Sequence, residues 1–487
     1  MLGDAGIGWH IRTGELILAN RSVPHADPFS STMLGKPWYA WEWLYDAGVA
    51  AIHHSAGLNG VVFASALVIA LTFTLLFRRM LAQGANLVVA VGLLLLAFAA
   101  STLHMFARPH VVGWLLTLVW FGILDQFESG AKPRSLLWLP LLMLLWVNLH
   151  GGFVLGLILL PIYWLAALSG YLAGRSQEGR RASGVRLQAL SWAGVISFAL
   201  TFVNPYGYKL HIHIYRYLTD RFLMDHIDEF LSPNFHGLPQ KCFAILILLT
   251  MLGIAAGRKR LCISHLLIIA FAVYTGLVAA RNIPVSSVLL TLIIAPQLSS
   301  WLRDAAAGNS IPDTGRRVAG ALNSFSGRMA RLDSELRGHC WPGLMVLLGL
   351  WICGHGGQLA SHQVMTSEFD SARFPVAAAE FLERSGIQGP VFCPDRWGGY
   401  LIYRLYPGVR VAVDDRHDLY GAEFLKRYLK IVHGQPGWQD ALDEMKAGWV
   451  LVPADSTLNS LLTETQVWSV AYRDPTAILF RHRGRVP

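Results

Sequence analysis

Residues 58–79, LNGVVFASALVIALTFTLLFRR, decide the fold class of this chain. The first twenty of them, 58–77, are uncharged and mostly apolar, and about 20 such residues in one helix cross the hydrocarbon core of a bilayer. The run then stops on Arg78 and Arg79. Nine more apolar stretches follow, at 86–103, 111–127, 136–149, 153–173, 187–203, 242–256, 262–280, 283–298 and 341–359. They predict an all-α polytopic membrane bundle of about ten spans. The charges between them alternate. Lys132 and Arg134 follow the third stretch, and Arg175, Arg180, Arg181 and Arg186 follow the fifth. Arg258, Lys259 and Arg260 follow the seventh, and Arg303, Arg316, Arg317, Arg328, Arg331 and Arg337 the ninth. Short basic loops stay on the cytoplasmic side, so the nearly neutral turns, residues 1–57 and everything after 359 are expected outside. The basic loops themselves read as spacers.

Composition agrees. Of 487 residues 54% are hydrophobic and 15% charged, against roughly 25% charged in soluble domains. The formal charge of +9 belongs to the cytoplasmic loops and does not indicate a nucleic-acid partner. The five cysteines, Cys242, Cys262, Cys340, Cys353 and Cys393, show no CxxC and no zinc spacing; most read as core or lipid-facing thiols. No signal peptide is visible.

With this orientation the reactive residues collect on the outer side. The opening segment, MLGDAGIGWHIRTGE, holds Asp4, Trp9, His10, Arg12 and Glu15, and Glu42 follows. The outer turns add His104, Arg108 and His110, then His150 beside Gly151-Gly152, then Arg281-Asn282. The loop opening on Asn204-Pro205-Tyr206-Gly207 adds Lys209, His211, His213, Asp225, Asp228, Glu229 and His236. Ionisable groups at membrane depth are costly and point to function. Taken singly, Arg108 and Arg281 also fit side chains snorkelling to headgroups, and Trp38, Trp41 and Trp43 fit an interfacial aromatic belt. His211-Ile212-His213 reads as solvated loop. Their joint occurrence on one side describes an anion-binding cleft, Arg and His toward a phosphate, with Asp4 and Glu42 as candidate bases.

Several short motifs in order resemble the bacterial integral-membrane glycosyltransferases of the GT-C superfamily, relatives of the dolichyl-phosphate-mannose–protein mannosyltransferases. They are Asp4–Glu15, Pro24-His-Ala-Asp-Pro-Phe-Ser, Trp41-Glu-Trp-Leu, Arg108-Pro-His, Asn148-Leu-His-Gly-Gly, Asn204-Pro-Tyr-Gly, Arg281-Asn, Trp397-Gly-Gly-Tyr and Asp414-Asp-Arg-His-Asp-Leu-Tyr-Gly. The resemblance spans nearly the whole chain, mostly to members of unassigned function. It implies inverting sugar transfer from a polyprenyl-phosphate donor to an envelope, lipid or protein acceptor at the outer face of the bacterial inner membrane. It implies Asp4 as catalytic base or metal partner and Glu42 as a supporting acid. His10, Arg108, His110, His150, Asn204 and Arg281 fall on matching motifs and are assigned to substrate. No organic cofactor is implied, and a divalent metal stays open. The superfamily carries a membrane helix before the acid-bearing loop, whereas here Asp4 is the fourth residue; the chain is expected to begin inside that loop.

After residue 360 apolarity drops. Helices over 374–383, 397–405, 421–432 and 439–445 alternate with strands at 391–393, 409–413 and 449–452 and a hairpin of 467–472 with 477–481. This predicts a small extracytoplasmic α/β domain. The division is thus an outer loop (1–57), the bundle (58–360) and the α/β domain (361–487). Asp414, Asp415, Arg416 and Asp418 read as a capped, salt-bridged turn or an acceptor site. Trp397-Gly398-Gly399-Tyr400 either stacks on a sugar or packs the domain down. Two other functions remain open at this level: a transporter or flippase of lipid-linked sugars, whose usual internal repeats are absent, and a non-catalytic envelope-assembly protein.

Overall fold

The structure is a computed structural model describing residues 1–174, 176–257, 260–308, 312–336, 338 and 340–484. Arg175, Arg258, Lys259 and Arg337 of the basic loops lie outside the described residues. In chain order the helices are α1 (Gly6–Asn20), α2 (Trp43–Ala82), α3 (Leu87–Ser101), α4 (His110–Glu128), α5 (Trp138–Leu149), α6 (Phe153–Ala173), α7 (Gln177–Leu200), α8 (Tyr208–Thr219), α9 (Arg221–His226) and α10 (Leu238–Ala256). Then come α11 (Ile263–Val278), α12 (Ile283–Ala307), α13 (Asp313–Glu335), α14 (Cys340–Gly354), α15 (Val376–Arg384), α16 (Asp395–Leu405), α17 (His417–Val432), α18 (Trp438–Glu444) and α19 (Thr457–Glu464). The strands are β1 (Gln358–Leu359), β2 (His362–Gln363), β3 (Gly389–Phe392), β4 (Val409–Val411), β5 (Trp449–Pro453), β6 (Trp468–Arg473) and β7 (Ala477–His482).

All ten expected spans fall on helices. Six are long and apolar enough to cross a membrane, and three shorter apolar helices accompany them; α7 is apolar only over its second half. Leu95, Leu141, Trp192, Leu248, Met251 and Leu347 are exposed on the bundle. A soluble protein would hide such a set; a lipid-facing surface requires it. Inside, Trp120, Trp146, Phe121, Phe243 and Leu246 are buried in one continuous core. The chain is a multi-pass membrane protein.

Three expected loops are ordered helix instead. The stretch 1–57 holds α1 and the first third of α2. At 40 residues, α2 would run about 60 Å as a straight rod, twice the hydrocarbon thickness of about 30 Å. Gly57, at φ 58° and ψ −156°, breaks it, so that residues 58–82 span and 43–56 turn back over α1. A left-handed φ of this kind is tolerated by glycine. The loop after Asn204 folds into α8 and α9. The longest basic loop is no spacer: Arg316, Arg317, Arg328 and Arg331 lie on α13. Its Asn323 accepts from Asn86, and its Ser326 accepts from Leu87 N.

The C-terminal unit is a five-stranded mixed sheet in the order β4-β3-β5-β7-β6. β4, β3 and β5 run parallel, and β7 pairs antiparallel with β5 and β6. Period-2 alternation sends neighbouring side chains to opposite layers. Val391, Leu451 and Leu479 pack with α15 and α16, together with Leu2, Ile7, Trp9 and Ile11 around α1. Phe392, Val450 and Phe480 pack with α17, α18 and α19. One layer of the sheet's core is therefore supplied by the N-terminus of the chain. Where α1 crosses α16, Gly8 meets the backbone of Gly399: a Cβ on Gly8 would sit 2.2 Å from the Gly399 carbonyl oxygen. Trp397 is buried, with Nε1 donating to Arg373 O at 2.9 Å. The Trp-Gly-Gly-Tyr motif is a helix-crossing surface, and the sugar-stacking alternative is set aside.

Candidate active site

The crossing of α1 over α16 carries Asp4 to the junction of bundle and sheet. Asp4 Oδ1 accepts from Gly6 N at 2.7 Å, and Oδ2 pairs with Arg108 Nη1 at 3.2 Å. The same guanidinium pairs through Nη2 with Asp415 Oδ2 at 2.5 Å. Asp415 Oδ1 accepts from Trp9 Nε1 at 2.9 Å. Three distant segments, the head of α1, the turn before α4 and the loop after β4, thus close on one cation.

Beside them, Glu42 at the head of α2 stands 3.7 Å from His10 Nε2 through one oxygen and 3.7 Å from His150 Nε2 through the other. His10 is fully buried, and its Nδ1 is 2.6 Å from Asp46 Oδ1. His10 Nε2 has no hydrogen-bond partner, and it faces the Glu42 carboxyl. His150 Nδ1 accepts from Gly152 N at 3.1 Å, so the Gly-Gly turn fixes the ring with Nε2 toward Glu42. His110 Nε2 reaches His104 O at 2.6 Å. Arg281 pairs with Glu229 at 3.0 Å and lies over the Phe230 ring, 4.5 Å from its centroid. This packing replaces the snorkelling expected of Arg281 taken singly.

Burial and charge set the protonation of this cluster. Burial pushes Glu42 up to about 8, against the pull of Arg108, so its carboxyl is largely protonated at neutral pH. Burial likewise drives His10 and His150 well below the usual imidazole range, with nearby cations adding to the effect. Asp415 is raised to about 6 by burial and by Asp4, although Arg108 pulls it down. Burial also acts to raise Glu229, but Arg281 and Arg108 overcome it and hold the group near 2. Arg108 stays cationic because Asp4 and Asp415 outweigh its burial. The site therefore holds neutral proton carriers, Glu42 and the histidines, beside a tight Asp4–Arg108–Asp415 ion triad.

Asn204 is not brought to this cluster. Its side chain serves its own turn, accepting from Tyr206 N at 2.8 Å and donating to Thr201 O and Gly207 O. His211 and His213, expected in solvated loop, sit on α8: His213 Nε2 meets Asp418 Oδ2 at 3.0 Å and its ring stacks on Tyr39 at 4.3 Å. Trp38 is buried, its ring 4.6 Å from the Arg416 guanidinium, and so is not part of an interfacial belt, while Trp43 Nε1 donates to Asn148. The acidic turn after β4 divides in two. Asp414 and Arg416 are buried and pair with each other, while Asp415 faces Arg108. Asp46, four residues after Glu42 on α2, escaped the sequence reading because it lies outside the short motifs. A divalent ion does not fit at Asp4 in this arrangement, because Arg108 fills the space between the two carboxylates.

No family model and no curated protein matches the chain. Solved structures do. The Archaeoglobus fulgidus oligosaccharyltransferase tethered to an acceptor peptide superposes with a TM-score of 0.56 at 12% identity, over 93% of this chain and 65% of that one. The archaeal oligosaccharyltransferase AglB from Archaeoglobus fulgidus, in complex with an inhibitory peptide and a dolichol-phosphate, gives 0.56 at 11% identity, over 100% and 71%. ArnT from Cupriavidus metallidurans bound to undecaprenyl phosphate gives 0.48 at 16%, over 98% and 93%. The chain spans about two thirds of the length of the oligosaccharyltransferase structures it matches. At these identities the likeness is one of fold alone.

Proposed function

We propose that this chain is a membrane glycosyltransferase that moves a sugar from a polyprenyl-phosphate donor to an envelope, lipid or protein acceptor. The observation that carries this reading is the Asp4–Arg108–Asp415 triad, set at the junction of bundle and α/β unit in a fold shared with an oligosaccharyltransferase. Asp4 is the general base: its carboxylate takes the acceptor hydroxyl proton. The acceptor oxygen then bonds to the anomeric carbon, the bond from that carbon to the phosphate oxygen breaks, and its electron pair leaves with the polyprenyl phosphate. Arg108 holds the departing phosphate. Asp415, raised to about 6 by burial and Asp4, is the carboxylate that gives way to that anion. Glu42 and His150 bind the sugar as neutral donors and acceptors, the buried His10 backs the Glu42 carboxyl, and His110 and Arg281 flank the donor.

Sidedness follows the same reasoning. Because short basic loops stay cytoplasmic, the reading places the site and the α/β unit on the outer side of the inner membrane. In this reading the division into 1–57, 58–360 and 361–487 becomes functional, since the first part brings Asp4 and Glu42, the bundle brings Arg108 and His150, and the last part brings Asp415 to one site.

The test is transfer of labelled sugar from polyprenyl-phosphate donors by membranes containing the chain, compared with Asp4→Asn. Loss of transfer by about 10²–10⁴-fold is expected. Unchanged transfer in Asp4→Asn overturns the base assignment, and no transfer by the unaltered chain from any such donor overturns the enzyme reading.

A further inference from the structure

A second group of chemically capable side chains lies at the other end of α4, about 27 Å along the helix from His110. Asp125 and Glu128 stand one turn apart in its last two turns. Opposite them, α11 starts on Cys262 and carries His265 three residues later. One ligand-type atom from each of Glu128, Cys262 and His265 lies within 4.8 Å of the other two. Cys262 Sγ is 3.3 Å from Glu128 Oε2. Metal bonds of about 2.0–2.3 Å in a tetrahedron place ligand atoms about 3.3–3.8 Å apart, so this pair already has the spacing of two ligands of one ion.

The surroundings are those of a metal site. His265 Nε2 is 2.8 Å from Asp125 Oδ1, the carboxylate–imidazole contact that orients a ligating ring and leaves its other nitrogen for the ion. Asp125 is itself held, accepting from Gln83 Nε2 at 3.2 Å, and lies in the field of Arg79. Ser264 Oγ donates to Glu128 Oε2 at 2.5 Å and fixes that carboxylate. The Tyr163 hydroxyl is buried without a hydrogen-bond partner, and it feels Asp125, Glu128 and Cys262. A thiolate, an imidazole and a carboxylate suit zinc and its neighbours; magnesium and calcium take oxygen ligands.

We propose that Glu128, Cys262 and His265 bind one zinc-class divalent ion, which ties the end of α4 to the start of α11. On binding, the Cys262 thiol gives its proton to solvent, because the ligand is the thiolate. The ion is far from Asp4 and takes no part in transfer chemistry.

The experiment strips the purified full chain with a chelator, dialyses it against Zn(II), and measures bound metal per chain. A parallel sample takes Co(II), whose thiolate charge-transfer absorption reports a sulfur ligand. One zinc per chain and a cobalt–thiolate band are expected. Cys262→Ser and His265→Gln should each lose both, and Cys340→Ser, which changes another exposed cysteine, should keep both. Glu128→Gln, which preserves volume and a partner for Ser264, should weaken zinc binding at least tenfold with an unchanged circular dichroism spectrum. This variant keeps the proposal testable if the other two fail to fold. Absence of retained zinc overturns the proposal, as does equal zinc retention in Cys262→Ser and His265→Gln, or an unchanged zinc affinity in Glu128→Gln.

Discussion

Replacing Arg416 by Met should be among the most damaging single changes in the α/β unit. Arg416 is 2% exposed. It donates to Asp414 through Nε at 2.8 Å and Nη2 at 2.7 Å, and its Nη1 approaches Asp27 Oδ1 at 2.8 Å, an ion pair not aligned as a hydrogen bond. The rings of Trp38, Phe29 and Trp9 surround the guanidinium. Methionine has a similar length and packs adaptably, so Arg416→Met removes mainly the charge. It leaves Asp27 and Asp414, both at most 1% exposed, as buried carboxylates facing each other. Breaking a buried pair from one side costs about 3–5 kcal/mol. At about 2–4 °C per kcal/mol, the melting temperature of the detergent-solubilised chain should fall by on the order of 10 °C. The triple variant Asp27→Asn, Asp414→Asn, Arg416→Met carries no stranded charge and should recover more than half of that loss. A single variant melting with the unaltered chain, or a triple variant melting as low as the single one, would refute the reasoning.

Gly399→Ala should also destabilise, by about 1–3 kcal/mol, because a Cβ there would lie 2.3 Å from the Ala5 carbonyl oxygen. Gly92→Ala, where a Cβ meets nothing within 4 Å, should be neutral or slightly stabilising; equal melting temperatures for the two variants would discard the crossing argument. Glu42 has a folded-state pKa near 8, above its unfolded value of about 4.5. Its contribution to stability is therefore full below pH 4.5 and is lost as pH rises through 8. Glu42→Gln should flatten the fall in melting temperature between pH 6 and pH 9, and an unchanged slope in that variant would count against a buried, protonated Glu42.

The positions of the ten spans were legible in the sequence, and so were most strands of the C-terminal unit. Run length against bilayer thickness, and apolar–polar alternation along strands, are local properties of the chain. Helix α19 was not foreseen. Its start is marked by Ser456, which accepts from Asn459 N, but such a cap is also an ordinary turn signal. The opening segment read as a loop because Gly6, Gly8 and Gly14 are poor helix formers. It is helical because Gly8 and Gly14 let α1 lie directly on the backbones of α16 and α2, while Gly6 leaves room for the Arg108 and Asp415 side chains, a gain that appears only once the partners are in place. In the sequence Asp415 is one acid of a turn motif. Nothing local separates it from Asp414, one residue away, which turns inward to Arg416.

The sequence by itself determined that this is a multi-pass membrane protein with a small α/β unit, and it singled out most of the ionisable residues that are candidates for a site. Only the tertiary structure decided which of them meet. Asp4, Arg108 and Asp415 are separated by 104 and 307 residues, and a pairing over such distances leaves no periodicity or spacing to read. It exists because α1, a segment at one end of the chain, buries its apolar side chains in the core of a sheet formed at the other end.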